Sequence, residues 1–387
     1  MDISVIIVSY TNAEAVMLTL AALRRAMSDG GISAEVIVVD NKSGDGTPEK
    51  VRSLAPWARV IEMGQNAGFA KANNVGLHEA TGDVLLLLNP DTVVCRDTLS
   101  KLVRHFREKP ESGAVGVRMV NGQGRYLGES KRGYTTILTS IFKLTGLWRL
   151  APKSRIFNAY YLGHEPETGV CHAPILSGAC VAFSRQLYER VGGLDESYFM
   201  YGEDIDLSWR MENGSKIGNV YRGDVPIIHF KGQSTPRQRK YIDSFYRSMH
   251  IFAQKYEFPR HTRFVNWLTA IGIRVGYYVA MTRCVVMRAV ERNTGFTYPR
   301  SVTIVSDENC AGIAEEIERQ GATVRTMRYE ELCDAALDET MVFGIDGDVG
   351  KAIEFMRRHE RAALFGFANE DTGDALVYFN NRLHNLT

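Results

Sequence analysis

No two of the six cysteines stand in a CxxC spacing; Cys95, Cys171, Cys180, Cys284, Cys310 and Cys333 are scattered along 387 residues. The scatter argues against a zinc site and fits a chain kept in a reducing cytosol. A charged leader, a long apolar region and a small-residue cleavage site are also missing, because the chain runs at once into the apolar stretch 3–8. No secretory signal is expected. An apolar run inside 262–292 is cut by Arg274 before it reaches the ~20 residues that a membrane-spanning helix needs. The sequence lacks any recognised nucleic-acid-binding motif. Net charge is almost nil, at +1.

That small total hides a contrast. Residues 1–221 carry 24 basic and 24 acidic side chains, 222–300 carry 14 and 4, and 301–387 carry 8 and 17. A basic middle beside an acidic tail points either to an anionic partner or to contact between the two segments. Hydrophobic residues make up 45%, enough for large cores, and the length suits two domains or three.

Continuous apolar runs at 3–9, 35–40 and 84–88 are predicted strands, with helices over 13–27 and 70–80 between them. Strands of this kind alternating with helices imply a parallel sheet buried on both faces, and ligands of such sheets bind beyond the carboxyl ends of the strands. Asp40 and Asn89-Pro90-Asp91 stand at two such ends. A helix over 100–108 and strands over 114–120 and 181–183 follow, then a helix over 185–191 and a strand over 226–229 that presents His229. Residues 121–172 show no period and are expected to include a flexible loop.

Residues 262–292 read as one long helix. Arg263, Arg274, Arg288 and Arg292 fall in one sector, with Arg283 opposite and a surface otherwise largely apolar. The pattern suits a membrane interface or a face packed on the protein's own core, and does not choose between them. After Pro299 a small α/β unit is predicted, with strands over 302–305, 323–327, 341–345 and 362–367 and helices over 311–320 and 349–359. Asp346-Gly347-Asp348 is expected to form a solvated turn, since no glycine-rich phosphate loop accompanies it.

The densest chemistry lies at Gly202-Glu203-Asp204-Ile205-Asp206, three carboxylates within four positions after an aromatic run. Crowding raises at least one carboxylate pKa by like-charge repulsion, which suits a general base; the same residues also suit a helix N-terminus. Upstream lie Val38-Val39-Asp40-Asn41-Lys42-Ser43-Gly44-Asp45-Gly46-Thr47, then Asn66-Ala67-Gly68-Phe69-Ala70-Lys71-Ala72-Asn73-Asn74, then Leu87-Leu88-Asn89-Pro90-Asp91. In order and spacing these motifs, with His229 as a fifth, resemble family 2 glycosyltransferases of the GT-A fold, and most of all the rhamnosyltransferase-like branch that builds bacterial surface polysaccharides. The resemblance covers roughly residues 1–255.

It implies an α/β fold with a GT-A domain, mainly parallel sheet flanked by helices, over 1–255; the patterns beyond it give an amphipathic helical linker over 256–298, suited to a membrane interface, and a small acidic α/β domain over 299–387 through which the chain could oligomerise. It implies an inverting, metal-dependent transferase that takes a UDP- or dTDP-sugar, dTDP-rhamnose among them, to a glycan or lipid-linked acceptor. Asp40, with Asn41, Ser43, Asn66, Gly68, Lys71 and Asn73, would hold the nucleotide. Asp91, with Asn89 beside it, and His229 would bind Mg²⁺ or Mn²⁺. Asn89 brings no charge where relatives carry an aspartate. Asp204 would be the general base and Glu203 would orient it or the acceptor. Gly178 would lie under the donor sugar. Arg210 would pair with Asp206 at i,i+4 or reach the pyrophosphate. The enzyme would work in the cytoplasm, at the inner face of the cell membrane if its basic segment meets anionic lipid. Two other readings stand beside it. A sugar-nucleotide nucleotidyltransferase needs a glycine-rich basic loop, and Ser9-Tyr10-Thr11-Asn12-Ala13 has neither Gly nor Lys. A catalytically inactive nucleotide-sugar-binding scaffold would lack some of the acidic positions that are all present.

Overall fold

The structure, a computed structural model, describes residues 1–231, 239–257, 261–290, 296, 298–334, 340–359, 364–369, 371–379 and 382–387. In chain order the first elements are β1 (Ile3–Ser9), α1 (Ala13–Gly30), β2 (Ala34–Asp40), α2 (Thr47–Leu54), β3 (Arg59–Glu62), α3 (Phe69–Glu79), β4 (Val84–Leu88) and β5 (Thr92–Val94). Next come α4 (Thr98–Glu108), β6 (Val115–Val120), β7 (Lys131–Arg132), α5 (Ile137–Thr145), β8 (Val170–His172), β9 (Ile175–Leu176), β10 (Cys180–Ser184), α6 (Arg185–Val191), α7 (Glu203–Gly214) and β11 (Val220–His229). Two helices, α8 (Arg239–Phe252) and α9 (Arg263–Val290), lead to β12 (Ser301–Val305), α10 (Ala311–Arg319), β13 (Thr323–Met327), β14 (Thr340–Gly344), α11 (Val349–His359), β15 (Leu364–Asn369), β16 (Asp374–Phe379) and β17 (Arg382–Asn385).

The first sheet runs β3–β2–β1–β4–β10–β6–β11–β5, with β8 on β11. β1 and β4 are buried along their whole length, as strands covered by helices on both faces must be. β3, β2, β1 and β4 are parallel, and β10 enters antiparallel to both β4 and β6. β6 therefore runs with β4, and β11 is parallel to β6. The carboxyl ends of β1, β2, β4 and β11, and the amino end of β10, share one rim.

The second sheet runs β13–β12–β14–β15–β16–β17, parallel as far as β15 and antiparallel beyond it. It is not packed apart from the first. One continuous cluster of buried apolar side chains includes Val5, Val16 and Leu99 from one unit and Phe343, Phe367 and Tyr378 from the other. Phe230, the residue after β11, is fully buried with its ring 5.9 Å from Phe367 and 5.8 Å from Tyr378. Asn369 donates to the Met17 carbonyl at 3.4 Å, and Arg25 pairs with Glu308 at 2.7 Å. The cations that meet the acidic unit in these contacts come from α1, not from the basic segment 222–300.

Several expectations need correction. The 121–172 segment forms β7, α5 and β8 with aromatic contacts of its own, Phe142 on Phe157 at 5.0 Å and Trp148 on Tyr161 at 5.2 Å. Its elements are too short for a period to show. Asp346 is not solvated; it is 2% exposed and accepts from Ser306 Oγ and from the N–H groups of Asp307 and Glu308. α9 follows its expected span but is neither wholly packed nor wholly free. Tyr277 donates to Asp243 of α8 at 2.8 Å, while Phe264, Trp267, Val275 and Tyr278 remain more than half exposed. The side chains of Arg283 and Arg288, all of Arg292, and residues 362–363 lie outside the described residues.

Truncating Phe230 tests how firmly the two sheets are joined. Phe230→Ala should cost about 3–5 kcal/mol, read as a lower urea midpoint. A loss under about 1 kcal/mol would mean that the site collapses around the smaller side chain and the ring contributes little.

Candidate active site

Strand direction alone carries Asp40, Asn89, Asp91 and His229 to one rim, because they close or follow β2, β4 and β11. Asp91 and His229 meet there. Asp91 Oδ1 lies 3.3 Å from His229 Nε2, and the two residues are 4% and 6% exposed. The Phe230 N–H donates to the Asp91 carbonyl at 3.0 Å, which fixes the two loops to each other. Asn89 Nδ2 stands 3.3 Å from the same imidazole nitrogen. Nε2 thus faces an amide donor on one side and a carboxylate on the other, while His229 Nδ1 is buried without a hydrogen-bond partner. A cation held by Asp91 and His229 would satisfy the carboxylate and the imidazole lone pair together. Neighbouring ligands of an octahedral ion with bonds of about 2.1 Å stand about 3 Å apart, close to the separation here. Among the described residues no three His, Cys, Asp or Glu side chains gather at one point. Gln233 and Ser234 of the His229 motif lie outside the described residues.

The expected nucleotide residues are largely bonded to one another. Both Asp40 oxygens are taken by Ser43, one by its N–H at 3.2 Å and the other by its hydroxyl, which is the turn-capping arrangement. Asn41 accepts from the Ala67 N–H at 2.9 Å and donates to Asn66 Oδ1 at 3.1 Å, tying the loop after β2 to the loop before α3. Gly68, at φ +87°, faces the Phe199 carbonyl so closely that a Cβ would stand 2.6 Å from it. The 66–69 loop is thereby pinned to the segment leading into α7. Lys71 is half exposed, 3.9 Å from Glu196. Asn73 is buried and donates to the Phe69 carbonyl at 2.9 Å within its own helix, so a nucleotide contact would require it to break that bond.

Glu203, Asp204 and Asp206 occupy the first turn of α7, behind Gly202 at φ +86°. The helix-terminus arrangement is thus real, yet the three carboxylates meet different fates. Asp206, 1% exposed, accepts from Arg210 Nε at 2.7 Å and from the Tyr256 hydroxyl at 2.7 Å. Arg210 gives its other nitrogens to the carbonyls of Val191 at 2.8 Å and Gly193 at 2.7 Å. That fork is spent on Asp206 and on joining α7 to the turn after α6, so of the two expectations for Arg210 the i,i+4 pair with Asp206 is the one present. Asp204 accepts from Arg132 Nη2 at 2.5 Å and from the Gly178 N–H at 3.4 Å. A Cβ on Gly178 would stand 3.0 Å from Asp204 Cβ, so the small residue admits the aspartate. The next residue, Ala179, accepts from the Asn89 N–H at 2.8 Å. Asp204 and the Asp91–His229 pair are therefore linked through the short turn Gly178-Ala179 before β10 and through Asn89.

Glu203 is 6% exposed and Oε2 has no partner. Burial first, and the Asp204 charge second, push its carboxyl up to about 8. The raised acid expected from crowding is present, but desolvation outweighs repulsion as its cause.

Sequence reasoning missed Arg132. It comes from the two-residue β7 in the unpatterned segment, is 7% exposed, and donates to the Leu176 carbonyl at 2.8 Å as well as to Asp204. Behind it Tyr160 accepts from Lys143 Nζ at 2.7 Å. Burial pushes the Tyr160 hydroxyl up, but the cations Arg132 and Lys143 prevail and hold it below the ordinary phenol value. Lys231 and Glu129 form a second missed pair beside His229. Non-glycine residues in the left-handed region also gather near this rim: Thr11 after β1, Lys42 after β2, Tyr201 before α7 and Lys231 after β11. Such strain clusters where a site must be held in shape.

Residues 4–192 match the model of the family described as glycosyl transferase family 2. The chain is 28% identical over 232 residues to the N-acetylglucosaminyl-diphospho-decaprenol L-rhamnosyltransferase of Mycobacterium tuberculosis, covering 56% of this chain and 73% of the relative. It is 27% identical over 236 residues to the low-salt glycan biosynthesis hexosyltransferase Agl10 of Haloferax volcanii, covering 59% of this chain and 66% of that one. Among solved structures, the mannosyltransferase PcManGT from Pyrobaculum calidifontis in complex with GDP-Man and Mn²⁺ aligns at a TM-score of 0.43 and 20% identity, over 76% of each chain.

The Glu203 environment has a measurable pH signature. Between the ordinary glutamate value of 4.5 and about 8, the folded chain keeps a proton that the unfolded chain releases. This contribution to stability is complete below pH 4.5 and is lost as pH rises towards 8. Glu203→Gln removes the loss, so the melting temperature of the variant relative to the parent should climb from pH 5 to pH 8. A constant difference across that range would mean Glu203 titrates normally.

Proposed function

Residues 4–192 belong to glycosyl transferase family 2, which makes the chain a glycosyltransferase, and on that premise we propose that it moves a sugar from a nucleoside-diphosphate donor to a glycan or lipid-linked acceptor, with inversion at the anomeric carbon. The fold is GT-A, a mostly parallel sheet flanked by helices. The family assignment speaks against the nucleotidyltransferase reading, and the presence of every expected acidic position speaks against an inactive scaffold. Rhamnose from a dTDP donor, in bacterial surface polysaccharide assembly, is the donor chemistry we favour, because the Mycobacterium relative is named for a rhamnosyl transfer to a decaprenol-linked diphosphate.

The observation that carries this reading is the convergence of the Asp91–His229 pair and Asp204 on one rim, joined through Gly178-Ala179. Asp204 takes the proton from the acceptor hydroxyl as that oxygen attacks. It is the carboxylate of the pair with the greater access, its side chain 19% exposed, and the Arg132 guanidinium aims it. Glu203, holding its proton near neutral pH, keeps a second negative charge away from Asp204. Asp40, Asn41, Ser43, Asn66 and Gly68 shape the end of the cleft that meets the nucleotide, with Lys71 at its edge. Asp91 and His229 would hold Mg²⁺ or Mn²⁺, whose charge would stabilise the departing nucleoside diphosphate. Among the described residues no helix is long and apolar enough to cross a membrane. The exposed Phe264, Trp267 and Tyr278 of α9 support a peripheral role at the inner membrane face.

A panel of nucleotide sugars, assayed for release of nucleoside diphosphate with and without Mg²⁺ or Mn²⁺, tests the proposal. Turnover is expected with a UDP- or dTDP-sugar and only with a divalent cation. Asp204→Asn should lower turnover at least about a hundredfold while leaving donor affinity near that of the parent. Turnover by Asp204→Asn near the parent rate would remove Asp204 from the role of base.

A further inference from the structure

The segment between β7 and β8 contains a surface that the transfer reaction does not use. From Ser130 to His164 there is no acidic residue. Thr136 and Thr139 form a reciprocal capping box that starts α5, and Gly146, at φ +78°, ends it. A tight loop follows, in which Asn158 donates to the Pro152 carbonyl at 2.7 Å. The Phe142–Phe157 and Trp148–Tyr161 contacts hold the two limbs together. The element has its own framework, so its outward side chains are not the remains of a missing core.

Those outward side chains are of two kinds. Leu138, Ile141, Leu150 and Ile156 are 53%, 47%, 78% and 64% exposed. Arg149, Lys153 and Arg155 are exposed among them. The most exposed leucine thus follows an arginine directly, and the most exposed isoleucine does the same. Apolar tips alternating with cations, without a single carboxylate, complement an anionic bilayer: the tips enter the acyl boundary while the cations stay with the head groups. A second copy of this chain fits poorly, because two such faces would bring like charges together.

The surface also lies beside the candidate base. Lys143 of α5 reaches the Tyr160 hydroxyl, the Gly133 N–H donates to the Tyr160 carbonyl at 3.0 Å, and the neighbour of Gly133 is Arg132, which holds Asp204. We infer that α5 and the loop 146–157 form a docking surface for anionic lipid bilayers, separate from α9, that seats the catalytic rim against the membrane. The inference deepens the transferase reading, by giving a lipid-borne acceptor a defined side of approach.

The test uses the full chain and vesicles of phosphatidylcholine with or without phosphatidylglycerol, in a sedimentation assay at low and high salt. Binding is expected to the anionic vesicles alone and to weaken with salt. Leu150→Glu/Ile156→Glu should lose at least about tenfold in affinity, and Arg149→Ser/Lys153→Ser/Arg155→Ser about a hundredfold. Phe264→Glu/Trp267→Glu in α9 serves as the comparison, and the loss caused by Leu150→Glu/Ile156→Glu should persist in that background. Since all these side chains are exposed, the variants should melt like the parent. No binding by the parent at low salt overturns the inference. So does unchanged binding by Leu150→Glu/Ile156→Glu, or a concentration-dependent dimer on gel filtration that this variant abolishes. Nucleoside-diphosphate release in solution is measured separately and should be unchanged in Leu150→Glu/Ile156→Glu. If the parent binds vesicles but releases no nucleotide from any donor, the transferase reading fails and the surface stands.

Discussion

A carboxylate removed from water must find a counter-charge or keep a proton, and the rim of the first sheet uses both solutions within four residues. Asp204 is matched to Arg132, Asp206 to Arg210 and the Tyr256 hydroxyl, and Glu203 retains a proton instead. Each match comes from a different part of the chain: β7, α7 itself and the turn that follows α8. Breaking a buried pair of this kind by removing one partner costs about 3–5 kcal/mol, so the carboxylates tie β7 and the turn after α8 to α7 as firmly as those segments hold the carboxylates. The helix N-terminus adds a favourable field for the negative charge. Site and scaffold are the same interaction viewed from two sides.

The other end of the rim is fixed by apolar contact. His229 faces Asp91 because β5 lies antiparallel on β11, His229 opposite Thr92, and because Phe230 is driven into the second sheet immediately afterwards. Lys231 then turns back in the left-handed region and pairs with Glu129. The acidic C-terminal unit, for which the sequence suggested no role beyond oligomerisation, is thus part of the wall behind His229.

Much of this was legible in the sequence where regularity was long enough to carry a signal. The apolar strands β1, β2 and β4 and the helices between them follow from composition and period, and strand direction then brings Asp40, Asn89 and Asp91 to one edge. The order of the motifs supplied the family. What could not be read depends on contacts between distant residues. β7 has two residues and β9 two, so no pattern marks them, yet β7 delivers Arg132. Asp346 looked like a surface turn because nothing local shows that Ser306 and two backbone N–H groups, some forty positions earlier, wait to receive it. Arg210 was half legible: its i,i+4 partner was visible in the spacing, but the carbonyls of 191 and 193 that occupy its other nitrogens were not. α8 escaped notice altogether.

The shared apolar cluster also sets a timetable for biosynthesis. Phe230 emerges from the ribosome well before Phe367 and Tyr378, which cover it. At about 5–20 residues per second the interval is about seven to thirty seconds. Throughout that time the first sheet carries an uncovered aromatic ring beside its most demanding loop. Exposed apolar surface of this kind favours aggregation, so the first sheet is protected only once β15 and β16 have been made.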